Sequence, residues 1–295
     1  MLPRMRIALT SDLHVDHHPE VVALVAERVR RLEPDVLVVA GDVSSAVDHV
    51  EAALAGLRAS APHAVFVPGN HDLWCTPNVA GTPNSRARYE EVLPARAQAA
   101  GFVPLGHTPV ELPTSSGPVQ FVGVTGWYDY SLRNRQLDAT FTLDDYQRGT
   151  WGRLRWNDKV RIVWPGEAGE LDDPAICREQ VALLEAQLAA VGERPTVVVT
   201  HHLPFVELTT SKGEPPWDFL NGFMGSSALG AAILRAPGVK LALAGHTHFR
   251  RSARLDGAGG AVRAEVSPIG YPREYGRAGL DLAARVAERV TLVES

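Results

Sequence analysis

Five short stretches of the chain carry residue types that hold metal ions or move protons: Ser11-Asp12-Leu13-His14, Gly41-Asp42, Gly69-Asn70-His71-Asp72, His201-His202 and Gly245-His246-Thr247-His248. Asp and Asn offer oxygen donors and His offers imidazole nitrogen. A mixed O/N set without thiolate suits Mn²⁺, Fe or Zn²⁺ more than Cu(I) or an iron–sulfur cluster. So much imidazole disfavours Mg²⁺. Singly, each stretch is weak. D-x-H reads equally as a capped turn, G-D as a plain turn, and H-x-H as a surface pair on one side of an extended segment. Together they leave the bland readings little room, because burying this many ionisable groups uncompensated is costly and cations offset that cost. Asp12 and Asp42 supply about two negative charges. Two divalent cations would therefore leave the site positive even with one bound hydroxide, an attractive place for a phosphate.

The elements that must position these residues are legible as apolar runs. Strands are predicted at 6–10 (RIALT), 35–40 (DVLVVA), 63–67 (HAVFV), 119–124, 196–200 (TVVVT) and 239–244 (VKLALA). Five of them end in one of the five stretches. Helical spacing predicts helices over 19–32, with Pro19 suited to the first turn, and over 46–59, 85–100, 173–191 and 226–236. From about Ala261 the chain reads as a β-hairpin followed by a last strand at 289–293. Alternating strands and helices mean an α/β fold. In open α/β sheets ligands bind beyond the carboxyl ends of the strands, so five segments would deliver Asp, His and Asn to one edge.

Composition narrows the class. The chain has 295 residues, 45% hydrophobic and 21% charged, which is enough for a large core and argues against disorder. A net charge of −5 argues against coating nucleic acid or an anionic membrane. No apolar run reaches the roughly 18–20 residues of a membrane helix. The opening MLPRMRIALTSDLH has an apolar part too short for a signal peptide, and the two cysteines, Cys75 and Cys177, suggest no disulfide framework. The expected location is the cytoplasm. Without repeat or low-complexity linker, residues 1–295 are expected to form a single domain. Residues 127–165 stand out, with eight of the twenty Trp, Tyr and Phe residues, seven Lys/Arg and five Asp. They read as an insertion packed on the main body.

Asp12-Leu13-His14, Gly41-Asp42, Gly69-Asn70-His71-Asp72, His201-His202-Leu203-Pro204 and Gly245-His246-Thr247-His248, in this order, resemble the calcineurin-like metallophosphoesterase family. The resemblance spans residues 12–248 and implies a four-layer sandwich of two mixed β-sheets flanked by helices. It implies that Asp12, His14, Asp42 and His248 bind one metal. Asp42, Asn70, His201 and His246 would bind the other, with Asp42 bridging and the pair most simply Mn²⁺. His71 would not be a ligand. It would protonate the leaving oxygen or stabilise charge on it, after a metal-bridging hydroxide attacks phosphorus. Asp72 reads as orienting His71 or as a turn or cap residue. His202 reads as support behind its neighbour or as a substrate contact. Gly69 is expected to let the backbone turn sharply into the site.

The family's protein phosphatases extend the second motif to G-D-x-x-D-R-G. Here it reads Gly41-Asp42-Val43-Ser44-Ser45-Ala46, closer to bacterial small-molecule phosphoesterases, including cyclic-nucleotide phosphodiesterases. The expected activity is a phosphodiesterase on a small-molecule ester, a nucleotide among the options. The alternatives are a phosphomonoesterase and, in another class, a non-catalytic scaffold on the same fold. A nuclease is disfavoured by the acidic charge. Substrate choice is expected to lie in the insertion, including Trp127, whose aromatics and interleaved Arg and Lys either stack on a base and hold a phosphate or form a local core or a dimer contact. The loop 209–225 reads as a lid, with Trp217, Phe219, Asn221, Phe223 and Met224 as contacts or as plain packing.

Overall fold

The computed structural model describes residues 5–75, 83–114 and 117–294. Strands β1 (Arg6–Thr10), β2 (Val36–Ala40) and β3 (His63–Val67) pair in parallel. With β4 (Val103–Pro104) and an antiparallel β11 (Thr291–Glu294) they form a five-stranded sheet, order β11-β1-β2-β3-β4. A six-stranded sheet has the order β9-β10-β8-β7-β6-β5. Its strands are β5 (Val110–Leu112), β6 (Val119–Val124), β7 (Thr196–Thr200), β8 (Val239–Ala244), β9 (Arg251–Gly257) and β10 (Gly260–Val266).

The two-residue period of a strand separates the layers. Ile7, Leu9, Val36, Val38, Val65 and Val67 face Phe121, Val197, Val199, Leu241 and Leu243, so one core lies between the sheets. The other parity of the first sheet (Ala8, Leu37, Val39, Phe66) packs on helices Val21–Leu32 and Val47–Leu57. The other parity of the second (Val122, Val124, Val198, Ala242) packs on helices Asp173–Val191 and Ser227–Arg235. The result is the helix–sheet–sheet–helix sandwich. Every central strand is buried on both faces, which is why each reads as an unbroken apolar run. No helix among the described residues is long and apolar enough to cross a membrane.

The C-terminal part differs from expectation. The hairpin begins at Arg251, and two helices, Pro272–Arg277 and Leu282–Arg289, precede β11. Strand β9 is an edge strand whose alternate residues stay exposed, so RSARLDG has no apolar run to advertise it. The first helix at 21 starts after Pro19, with Glu20 at its N-cap.

The insertion and the 209–225 loop pack together. Tyr146 stacks on Phe219 at 4.9 Å and Trp156 on Phe223 at 5.0 Å. Trp127, Tyr128, Tyr130, Phe141, Tyr146 and Trp164 are buried in the same core as the helices on the first sheet. The local-core reading of these aromatics therefore holds for most of them. Arg133, Arg148 and Lys159 are paired with Asp138, Asp144 and Asp173.

Candidate active site

The carboxyl ends of β1, β2, β3, β7 and β8 meet at one edge. The Asp12 amide donates to the Gly41 carbonyl, and the Gly245 amide to the His201 carbonyl. The chain leaves these strands in strained turns. Asp12, His14, Asp42, His246 and His248 all hold positive φ, from 44° to 73°. Left-handed backbone is rare outside glycine and clusters where surrounding structure imposes it for function. His246 and His248 are therefore not on an extended segment, and they point into different groups. Gly69 corrects a second expectation. Its φ of −97° is ordinary; a Cβ there would lie 2.5 Å from the Asp42 amide nitrogen and 2.7 Å from the His201 ring. Glycine is needed for close approach, not for the turn.

Two groups of donors converge. In the first, His14 Nε2 lies 3.1 Å from His248 Nε2, and His248 Nε2 3.3 Å from Asp12 Oδ1. In the second, His201 Nε2 lies 3.0 Å from Asn70 Oδ1, 3.2 Å from His246 Nδ1 and 3.4 Å from Asp42 Oδ1. Asp42 stands between them, its Oδ2 4.0 Å from His14 Nε2. The far nitrogens are committed elsewhere. His201 Nδ1 faces the Ala40 carbonyl, His246 Nε2 the Phe223 carbonyl and His248 Nδ1 the Glu274 carboxylate. Those bonds assign the protons to the far side and leave lone pairs pointing inward. In the second group four acceptors face one another with no donor between them, a repulsive arrangement that a divalent cation resolves. The donor set fits such a cation.

Without a cation, protons take its place. Burial opposes charge on His201, but the Asp42 carboxylate lifts its pKa to about 9. His248 is likewise opposed by burial and lifted to about 10 by Asp12 and Glu274. Their facing partners go the other way. Burial and the His201 charge push His246 down to about 3, and burial beside His71 pushes His14 well below its ordinary value. Burial raises Asp42, but His201 and His71 hold it well below the usual carboxylate range.

His71 lies at the opening of this cluster. Its side chain is 19% exposed against 2% for Asp42. Its amide donates to Asp42 Oδ1 at 2.8 Å, its ring stacks on Trp74 at 3.7 Å, and its Nε2 lies 3.3 Å from the Tyr271 hydroxyl. Burial pulls its pKa down against the Asp42 charge, so its titration does not sit at the ordinary imidazole value. Asp72 does not reach that ring. Its carboxylate accepts four backbone N–H bonds, from Gly69, Asp42, Val43 and Ser44, at 2.8–2.9 Å. Of the two readings of Asp72, the cap is the one these contacts support. Asp72 holds the second and third motifs together.

The expected substrate contacts are mostly interior. Trp127 and Phe223 are fully buried, and Trp127 donates its indole N–H to Asp173. Asn221 is buried as well. His202 is enclosed between Trp127, 4.8 Å away, and the ring of His246, 4.4 Å away. Its Nδ1 lies 3.3 Å from the Thr125 carbonyl, and of its two readings these contacts favour support behind its neighbours. These residues read as contacts because aromatics near a site and aromatics in a core look alike in sequence. Trp217 alone keeps partial exposure, beside Phe249 at 5.5 Å. Sequence reasoning missed Glu274 and Tyr271. Tyr271 stacks on His14 at 4.2 Å. Glu274 lies on the helix Pro272–Arg277 and Tyr271 at its N-cap, in the stretch expected to be hairpin, and neither belongs to a motif.

A family model described as calcineurin-like phosphoesterase matches residues 5–250. The acyl-carrier-protein phosphodiesterase PptH of Mycobacterium tuberculosis (strain ATCC 25618 / H37Rv) is 28% identical over 268 residues, 90% of this chain and 78% of that protein. The crystal structure of the phosphopantetheinyl hydrolase PptH from Mycobacterium tuberculosis matches with a TM-score of 0.73 at 25% identity, covering 100% of this chain and 97% of that one. The chain belongs to the calcineurin-like phosphoesterase family and is a phosphoric ester hydrolase.

Proposed function

We propose that the protein is a dinuclear-metal phosphodiesterase that hydrolyses a phosphopantetheinyl diester on an acyl carrier protein. The observation that carries this reading is the end-to-end likeness to PptH, in sequence over 90% of the chain and in structure over all of it.

Asp12, His14, Asp42 and His248 would hold one cation and Asp42, Asn70, His201 and His246 the other. Mn²⁺ is the first choice, and Fe and Zn²⁺ are compatible with the donors. When bound, the two cations neutralise phosphoryl charge and activate water as nucleophile. His71 holds a proton at Nε2 for the leaving oxygen, with Trp74 fixing the plane of the ring. The charge of the bound phosphate offsets the burial that depresses His71. Trp217 is the proposed contact for the part of the substrate beyond the phosphate. The chain works as one unit, residues 127–165 and 209–225 forming a single wall. Cys75 and Cys177 are buried and unpaired, which agrees with a cytoplasmic setting.

The test compares bis(p-nitrophenyl) phosphate with p-nitrophenyl phosphate on metal-stripped protein given back Mn²⁺. Metal-dependent turnover of the diester supports the reading. Turnover of the monoester alone moves the assignment to a phosphomonoesterase.

A further inference from the structure

The buried carboxylate of Asp158 belongs to no motif and lies in the insertion, at the start of the short helix Asp158–Arg161. It is 2% exposed. Four donors converge on it. Oδ1 accepts from Asn70 Nδ2 at 2.9 Å and from Trp74 Nε1 at 2.6 Å. Oδ2 accepts from Trp156 Nε1 at 2.9 Å and from the Tyr128 hydroxyl at 3.4 Å. Two of these donors belong to the insertion; the other two belong to the segment carrying Asn70 and His71.

The bond to Asn70 has a directional consequence. An amide has one accepting and one donating end. With Nδ2 committed to Asp158, Oδ1 must face the other way, where it lies 3.0 Å from His201 Nε2. A flipped amide would present N–H groups to a cation and cannot ligate it. The bond to Trp74 acts on the other functional group, because the Trp74 ring lies flat under His71.

We propose that Asp158 is a positioning residue of this site, aiming the Asn70 oxygen at the second cation and holding Trp74 beneath His71. The proposal rests on the two-cation reading above. Partners behind a ligand typically change metal affinity by about 10–100-fold when removed.

Mn²⁺ binding to metal-stripped full-length protein, read by titration calorimetry and elemental analysis, tests it without reference to activity. Wild type is expected to take up two equivalents. Asp158→Leu should keep one and weaken the other by about 10–100-fold. Asp158→Asn should fall between, since one amide oxygen must serve where two carboxylate oxygens did. Asp173→Asn is the control. Asp173 is a carboxylate partner of the same insertion, bonded to Trp127, Tyr130 and Lys159 but to no proposed ligand, and both equivalents should bind as in wild type. Unchanged affinity at both positions in Asp158→Leu overturns the proposal, as does an equal loss in Asp173→Asn. Should Asp158→Leu fail to fold by circular dichroism, the near-isosteric Asp158→Asn decides, and wild-type affinity there is equally fatal. Wild type binding fewer than two equivalents sinks the two-cation reading itself.

Discussion

At the residue scale, the site is a set of inward lone pairs held by outward bonds. His201, His246 and His248 each spend one ring nitrogen on a carbonyl or carboxylate and turn the other toward the centre. His71 differs, being more exposed and backed by a ring instead of an acceptor. Removing it should spare the metals and cost the proton. His71→Ala is expected to lower kcat about 10²–10⁴-fold with both equivalents of metal retained on elemental analysis; loss of metal with the activity would assign His71 to the ligand set. Asp72 predicts the opposite pattern. Asp72→Asn puts an amide N–H against backbone N–H donors and should cost about 2–3 kcal/mol of stability, seen as a lower Tm. An unchanged Tm with reduced turnover would restore the orienting role. The proposed ligands were legible as a set because motif and order constrain them jointly. The contacts of Asp72 were not, because a buried carboxylate next to a histidine looks the same in sequence whether it bonds the ring or the backbone.

At the element scale, strands deliver and later elements hold. The five central strands were legible because burial on both faces writes itself as an apolar run. The helix Pro272–Arg277 was not. It is six residues long with one buried side chain, Tyr275, and so has no periodic face to detect. Yet it brings Glu274 to His248, the two 2.9 Å apart. Glu274→Gln should leave the fold intact and weaken Mn²⁺ binding by about 10–100-fold at the position built by Asp12, His14, Asp42 and His248. Calorimetry showing both positions unaffected would make Glu274 incidental. The insertion and the 209–225 loop carried the least reliable sequence signal. Their aromatics are numerous because they seal a core, with Tyr146, Phe219, Trp156 and Phe223 stacked in pairs, and not because each meets a ligand.

At the scale of the whole molecule, two sheets converge on one charged edge, and its charge balance is set by what is bound. In the metal-free protein His201 and His248 carry raised pKa values, about 9 and about 10. A raised value means the proton is held below that pH and must leave before a cation enters. Mn²⁺ binding at pH 7–8 should therefore release about two protons per protein, and affinity should fall as pH drops from about 9. Calorimetry in buffers of different ionisation enthalpy reads this directly; uptake without proton release would contradict the assignment of these two imidazoles. The reaction proposed for this edge is cleavage of the phosphodiester linking a phosphopantetheinyl group to a carrier protein. Its most direct test is the intact mass of a holo acyl carrier protein after incubation with the Mn²⁺-loaded enzyme. Loss of the phosphopantetheinyl group is expected, abolished by a chelator and much slowed in His71→Ala. A carrier protein of unchanged mass, alongside an enzyme that holds two cations and turns over bis(p-nitrophenyl) phosphate, would contradict it.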